Sequence, residues 1–283
     1  MRRYRRQAAR AERLVAPRRR HALHPAMAFL LGATVLLFAW YRGALTPVFG
    51  ISPPRTLVSI EGRLVAVPAP VPGATRPLPA VPVTTQGSYA FLNTTPSGRP
   101  VGFDPCRPIR FVVRPDGAPA VGNQLIAEAV ATISRATGLS FVDAGFTTEV
   151  PILERPLVQA RYGSGWVPVL FAWSDPIVDP ELAGSTAGLG GSSVVPAAAG
   201  SDEFLAGGRV LIDGPDIAAI LATPDGYARA RAILVHELAH VVGLDHVSDP
   251  TELMAPVMSG LPSLGPGDLQ GLALVGQIAC DGA

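Results

Sequence analysis

Apolar and polar positions alternate with helical rhythm over residues 121–137, where Leu125, Ile126, Ala129, Val130 and Ile133 recur on one face. Gly138 follows as a C-cap. Short β-branched or apolar runs bounded by prolines, glycines or an aspartate read as strands. They cover 109–113, between Pro108 and Pro115, then 139–142, and 167–173, stopped by Ser174-Asp175-Pro176. Two further runs, 190–195 and 208–212, complete five strands. A second helix is predicted to start at Thr223 and run to Leu244. Thr223 suits the N-cap, Pro224 the first helical position, and Asp225 the positive end of the dipole. A third helix is predicted over 268–280, after Pro266-Gly267. These elements form an α+β domain over residues 103–283.

The chain ahead of that domain is patterned differently. Residues 26–41 carry no charge and end in Trp40-Tyr41. As a helix, this run spans about 24 Å, a little short of a ~30 Å hydrocarbon core, and residues 22–25 extend it. Residues 25–41 are predicted to be a single transmembrane helix. The arginines before it place residues 1–24 in the cytoplasm and the rest of the chain outside. The alternative is a signal segment cleaved to release a secreted protein, although no clean A-x-A site follows. Residues 42–102 are proline-rich and read as a stalk. Within it, 55–67 are compatible with a short strand pair, and 68–82 with an extended polyproline-like spacer.

Charge sharpens this division. All 23 basic residues are arginine, and the chain carries a formal net charge of +1. Residues 1–24 hold nine Arg and one Glu, or +8; the remainder holds fourteen Arg against twenty-one acids, or −7. The basic block therefore belongs to the N-terminal segment and not to a folded face, which excludes a nucleic-acid-binding domain. The two cysteines, Cys106 and Cys280, lie near the two ends of the domain. Outside the cytoplasm, a disulfide joining those ends is the natural reading, with free thiols as the alternative.

The candidate chemistry lies in one stretch, His236-Glu237-Leu238-Ala239-His240-Val241-Val242-Gly243-Leu244-Asp245-His246. His236 and His240 are four apart, so a helix stacks them on one face, where both can reach one metal ion. Glu237 stands beside the first of them, able to reach a metal-bound water without being a ligand. Gly243 lets the chain leave the helix in a conformation that other residues resist. The turn can then deliver His246 as a third ligand. Three nitrogens and an open position are the donor set of a catalytic zinc.

This stretch resembles the zinc signature of the metzincin metallopeptidases, which pair H-E-x-x-H-x-x-G-x-x-H with a downstream Met-turn. Met254, eight residues after His246 in Glu252-Leu253-Met254-Ala255-Pro256, makes the matrixins the most similar branch. Val247 and Ala255 stand where that branch commonly has Ser and Tyr. The resemblance implies a twisted, mostly parallel five-stranded sheet with three helices. It also implies a zinc-dependent endopeptidase, with His236, His240 and His246 as ligands and Met254 in a turn beneath them. Glu237 would be the general base for a metal-activated water. A surface binding or sensing ectodomain that keeps the zinc but not turnover is the alternative function. By the same resemblance, Gly190, Gly191, Ser192, Ser193, Val194 and Val195 form the sheet-edge strand beside which a peptide or protein substrate pairs. Matrixin zymogens use a propeptide cysteine to block the zinc, a third possibility for Cys106. Asp104-Pro105-Cys106-Arg107-Pro108 does not match the family's P-R-C-G-x-P-D pattern. The other two histidines, His21 and His24, flank the membrane segment, so one zinc is expected and not two. Calcium remains open, because Asp175, Asp179, Asp202, Asp213 and Asp216 offer oxygens in loops. A monomer is expected, attached to the membrane through its N-terminal helix.

Overall fold

The computed structural model describes residues 55–60, 63–69, 73–152, 154–163, 165–196, 203–257 and 263–280. The predicted basic segment 1–24, the membrane or signal segment 25–41 and the first part of the stalk lie outside these residues. Among the described residues, no helix is long and apolar enough to cross a membrane.

The described chain begins with a hairpin, β1 (Arg55–Ile60) and β2 (Arg63–Pro68), paired antiparallel from Arg55↔Pro68 to Ile60↔Arg63. This is the strand pair read over 55–67. The main sheet is built from β4 (Ile109–Arg114), β5 (Phe141–Phe146), β6 (Val169–Ser174), β7 (Gly188–Pro196) and β8 (Glu203–Asp213). A two-residue strand, β3 (Ala90–Phe91), precedes them and pairs with β9 (Leu244–Asp245) in a separate small sheet. The five strands lie in the order β5-β4-β6-β8-β7. Every neighbouring pair is parallel except β7 with β8. The α+β class and the mostly parallel sheet match the sequence-based expectation.

A parallel sheet covered on both faces needs apolar side chains on both, and β6 supplies them along its whole length. Val169, Phe171 and Trp173 join the main core, while Leu170 and Ala172 pack into a second cluster with Val112, Leu182 and Leu211. Successive residues thus go to opposite faces, the period of a strand. The helix α1 (Gly122–Thr137) buries the predicted stripe against the main core and ends at Gly138, left-handed at φ 71°. The metal-signature helix α3 (Gly226–Val241) is buried at almost every position from Ala230 onward. A helix apolar nearly all round belongs inside.

Among the described residues, the domain has four helices where three were expected. The additional one, α2 (Gly214–Leu221), is capped by Asp213, whose carboxylate accepts the Asp216 N–H at 2.9 Å. Its presence changes how α3 starts. Thr223, expected as the N-cap of α3, instead donates its hydroxyl to the Ile220 carbonyl at the end of α2. Pro224 lies in the connecting turn, and α3 begins three residues after Thr223. A Cβ at Gly226 would sit 2.0 Å from the Ile220 oxygen, so only glycine lets the two helices meet there. The last helix, α4 (Pro266–Val275), is shorter than expected and does not reach Cys280. Gly276 then packs so closely on Thr137 that a Cβ would overlap its carbonyl.

The folded unit also reaches upstream of residue 103. Ala90 and Phe91 pair with Asp245 and Leu244, and the Leu92 N–H donates to the Gly243 carbonyl at 3.0 Å. Val101 is fully buried, and Gln277 donates to the Val81 carbonyl. Tyr89-Ala90-Phe91-Leu92 is apolar enough to dock. The second half of the predicted stalk therefore lies along the domain. Cys106 and Cys280 form a disulfide with a Cα–Cα distance of 5.5 Å, closing the domain's ends over 174 residues of sequence. Cys106 is accordingly neither a free thiol nor a blocking ligand.

Candidate functional site

The site starts from helical spacing. His236 and His240 lie one turn apart on α3, their rings edge to face with centroids 4.7 Å apart. The helix ends at Val241, and Gly243 turns the chain with φ 117°. A Cβ on Gly243 would lie 2.9 Å from the Val101 oxygen, a second reason for glycine there. Two residues of β9 follow, and then His246. The three Nε2 atoms are each 3.1 Å from the other two.

Hydrogen bonds fix which nitrogen points inward. His236 Nδ1 lies 2.8 Å from the Leu253 carbonyl, and His240 Nδ1 lies 2.8 Å from the Leu244 carbonyl. A carbonyl only accepts, so each Nδ1 carries the proton and each Nε2 turns a lone pair toward the shared centre. Burial, then the neighbouring His240, lowers His236 to about 4, against the opposing pull of the Leu253 carbonyl. Burial also lowers His240, opposed by the Leu244 carbonyl. Neutral imidazoles whose lone pairs crowd one point repel one another unless a cation sits among them. Atoms so spaced can all stand at the ~2.0–2.1 Å of a zinc–nitrogen bond from one point. The donor set fits a single metal ion.

Glu237 is buried beside the triad. Burial raises its carboxyl to about 8, and a hydrogen bond from the Gly190 N–H offsets part of that. The contact depends on how closely β7 lies on α3. A Cβ at Gly190 would be 1.9 Å from the Glu237 backbone oxygen, and one at Gly188 would be 2.8 Å from its Cγ. Residues 190–195, expected as the edge strand, fall within β7, which is the edge of the sheet beside the triad. The cleft over the triad holds ≈ 670 Å³ and is walled by Leu92, Ala187, Ile233, Pro256 and Val257.

Met254 is fully buried in the main core. Its carbonyl accepts the Val247 N–H at 3.0 Å, which ties the turn to the residue after His246. Two buried carboxylates not expected from the sequence hold this turn. Asp268, in the first turn of α4, accepts the N–H groups of Leu253, Met254 and Gly265. Glu252 accepts those of Gly267 and Asp268 at the start of α4. Burial raises the Asp268 carboxyl, while those amides pull it down. The turn that orients His236 through the Leu253 carbonyl is thus stapled to α4. An acid two residues before Met254 and an acid opening the last helix were the only local signals.

Most of the loop acids proposed for calcium are engaged locally. Asp175 accepts the N–H groups of Ile177 and Val178, Asp179 accepts the Ser174 hydroxyl, and Asp213 caps α2. Asp202 lies outside the described residues. Among the described residues, two groups of three ligand-type side chains converge: the histidine triad, and Asp104 with the disulfide-bonded Cys106 and Cys280.

The family model of the matrixins matches residues 197–272. That segment is matrixin-like. It contains the three histidines, Glu237, Met254, Glu252 and Asp268, whereas β4, α1, β5, β6 and β7 lie ahead of it. The crystal structure of archaemetzincin from Methanopyrus kandleri is similar at 17% identity, over 59% of this chain and 93% of that one, with a TM-score of 0.37. No curated protein matches the chain.

Proposed function

We propose that the chain is a zinc-dependent endopeptidase. The observation that carries this reading is the convergence of three Nε2 atoms at 3.1 Å beside the buried carboxylate of Glu237, in an open cleft. His236, His240 and His246 would hold the ion. When bound, zinc supplies a Lewis acid that polarises the scissile carbonyl and makes water acidic enough to attack near neutral pH. Glu237, whose raised carboxyl a neighbouring bound cation would return to its ionised form, would take the proton of the attacking water on a carboxylate oxygen and hand it to the leaving amine nitrogen. The strand β7 ends the five-stranded sheet, and the substrate backbone would pair with its outer edge as an added strand. The Leu253 carbonyl positions His236.

A surface binding module would have no use for a base aimed at an open metal position, so the intact Glu237 favours turnover. The disulfide supports an extracytoplasmic location, because such bonds persist in oxidising compartments. The deciding experiment pairs zinc analysis of the purified chain with a peptide digest of parent and Glu237→Gln. One zinc per chain is expected in both, with turnover lowered ~10²–10⁴-fold in the variant. Near-full activity in Glu237→Gln would remove that residue from the mechanism.

A further inference from the structure

Further along β7 from Gly190, a second set of polar contacts holds the strand and its partner β8. Between Gly191↔Arg209 and Ser193↔Ala206 the β7–β8 register shifts, so Gly207 and Gly208 together oppose Ser192. Both glycines have positive φ, 64° and 111°, and side chains other than hydrogen would be strained there. A bulge of this kind bends a strand and redirects its residues. It is held from two sides. On one side the Ser192 hydroxyl donates to the Val241 carbonyl at the end of α3, at 2.8 Å. On the other side Arg155 Nη1 donates to the Gly208 carbonyl at 3.0 Å and to the Pro168 carbonyl at 2.6 Å. The rest of that guanidinium grips Glu149 through two 2.8 Å bonds. Glu149 also accepts from Gln159 and Tyr162. Arg155 and Glu149 side chains are each only 6% exposed. Two residues along β7 from Ser192 is Gly190, whose N–H meets the Glu237 carboxylate.

We propose that Arg155, held by Glu149, is a positioning residue for the edge strand: its hold on the Gly208 carbonyl fixes the bulge, and the bulge sets how β7, beyond Gly191, meets a substrate backbone. This rests on the peptidase reading of the cleft. The planar fork matters, because one cation must satisfy a carboxylate and two carbonyls in different directions. A lysine keeps the charge but cannot span all three. The buried pair therefore acts on the reaction through strand geometry, without touching substrate.

The test uses the full chain, zinc-loaded, as parent and Arg155→Lys. Two peptides sharing one scissile bond are compared, one long enough to run along β7 past the bulge and one blocked tripeptide too short to reach it. For the long peptide, KM is expected to rise roughly tenfold in the variant, as when one or two strand hydrogen bonds are lost. Kinetics on the short peptide are expected to stay as in the parent. Equal losses on both peptides, or no change on either, would overturn the positioning role, since general destabilisation lowers active enzyme regardless of substrate length. Amide hydrogen exchange over Gly190–Ser193 gives a readout that does not need turnover. Faster exchange there in Arg155→Lys, with α1 unchanged, is expected, and unchanged exchange in β7 overturns the inference. If the parent cleaves neither peptide, the peptidase reading fails, and exchange alone decides whether Arg155 fixes the strand.

Discussion

At the scale of single residues, the site is a matter of proton placement. His236 and His240 donate from Nδ1 to carbonyls, which leaves Nε2 of each free for a metal. These positions were legible in the sequence because they depend on spacing alone: four residues on a helix, then a glycine turn. His246 depends on the turn, not on helical repeat, and is the exposed member of the triad. His246→Ala is therefore expected to lower zinc affinity sharply while the fold survives, since no other histidine is found among residues 103–283. Competition with a chromophoric chelator measures this; parent-like affinity would break the three-histidine site. Zinc binding should also weaken as pH falls, because protons compete for the same nitrogens. What the sequence hid were the partners that hold these residues. Asp268 lies 15 residues from Leu253, and Glu252 lies 15 from Gly267. Contacts between distant acids and backbone amides leave no periodic trace.

At the scale of elements, most strands and helices followed the apolar pattern; the strand expected over 139–142 instead spans Phe141–Phe146 and is largely exposed at the sheet's edge, and the start of α3 is displaced where two helices meet. Thr223-Pro224-Asp225 has the composition of a helix start, yet α2 ends there and its last turn uses the threonine. Local propensity cannot tell the two apart when helices follow one another directly. The glycines of β7 were legible as small residues but not as a contact. Their purpose is the approach of an edge strand to α3, visible only once both are in place. Gly190→Ala puts a methyl group where the Glu237 backbone oxygen leaves 1.9 Å. Overpacking of this kind costs ~1–3 kcal/mol, and relief requires β7 to shift. The variant is expected to melt lower and to lose roughly tenfold or more in kcat/KM, as for other small misplacements of positioning groups, while still binding one zinc. Unchanged melting and turnover would mean that β7 does not bear on α3 in solution.

At the scale of the whole molecule, the disulfide closes the domain's ends, and the Glu149–Arg155 pair anchors the long connection between β5 and β6 to the sheet. The disulfide was legible from the cysteines' positions near the domain's two ends; the ion pair was not, because nothing in 147–168 distinguishes a buried acid from a solvated one. Its protonation gives the fold an acid-sensitive element. Burial pushes the Glu149 carboxyl up, but the bonds from Arg155, Tyr162 and Gln159, together with the Arg155 charge, outweigh this and hold it at about 2. A carboxyl whose folded pKa is depressed stabilises the fold fully above its ordinary value near 4.5, and that contribution fades as pH falls toward 2. Asp268 and Glu237 shift the other way through burial, so absolute melting curves mix opposite slopes. The difference between parent and Glu149→Gln isolates the pair. At pH 6 the variant should be less stable by about 3–5 kcal/mol, the cost of leaving a buried charge unpaired. Between pH 4.5 and 2 the two should converge, since the parent loses there what the variant already lacks. Denaturant melts of both chains across that window provide the measurement, and a stability gap independent of pH would show that Glu149 does not titrate with folding.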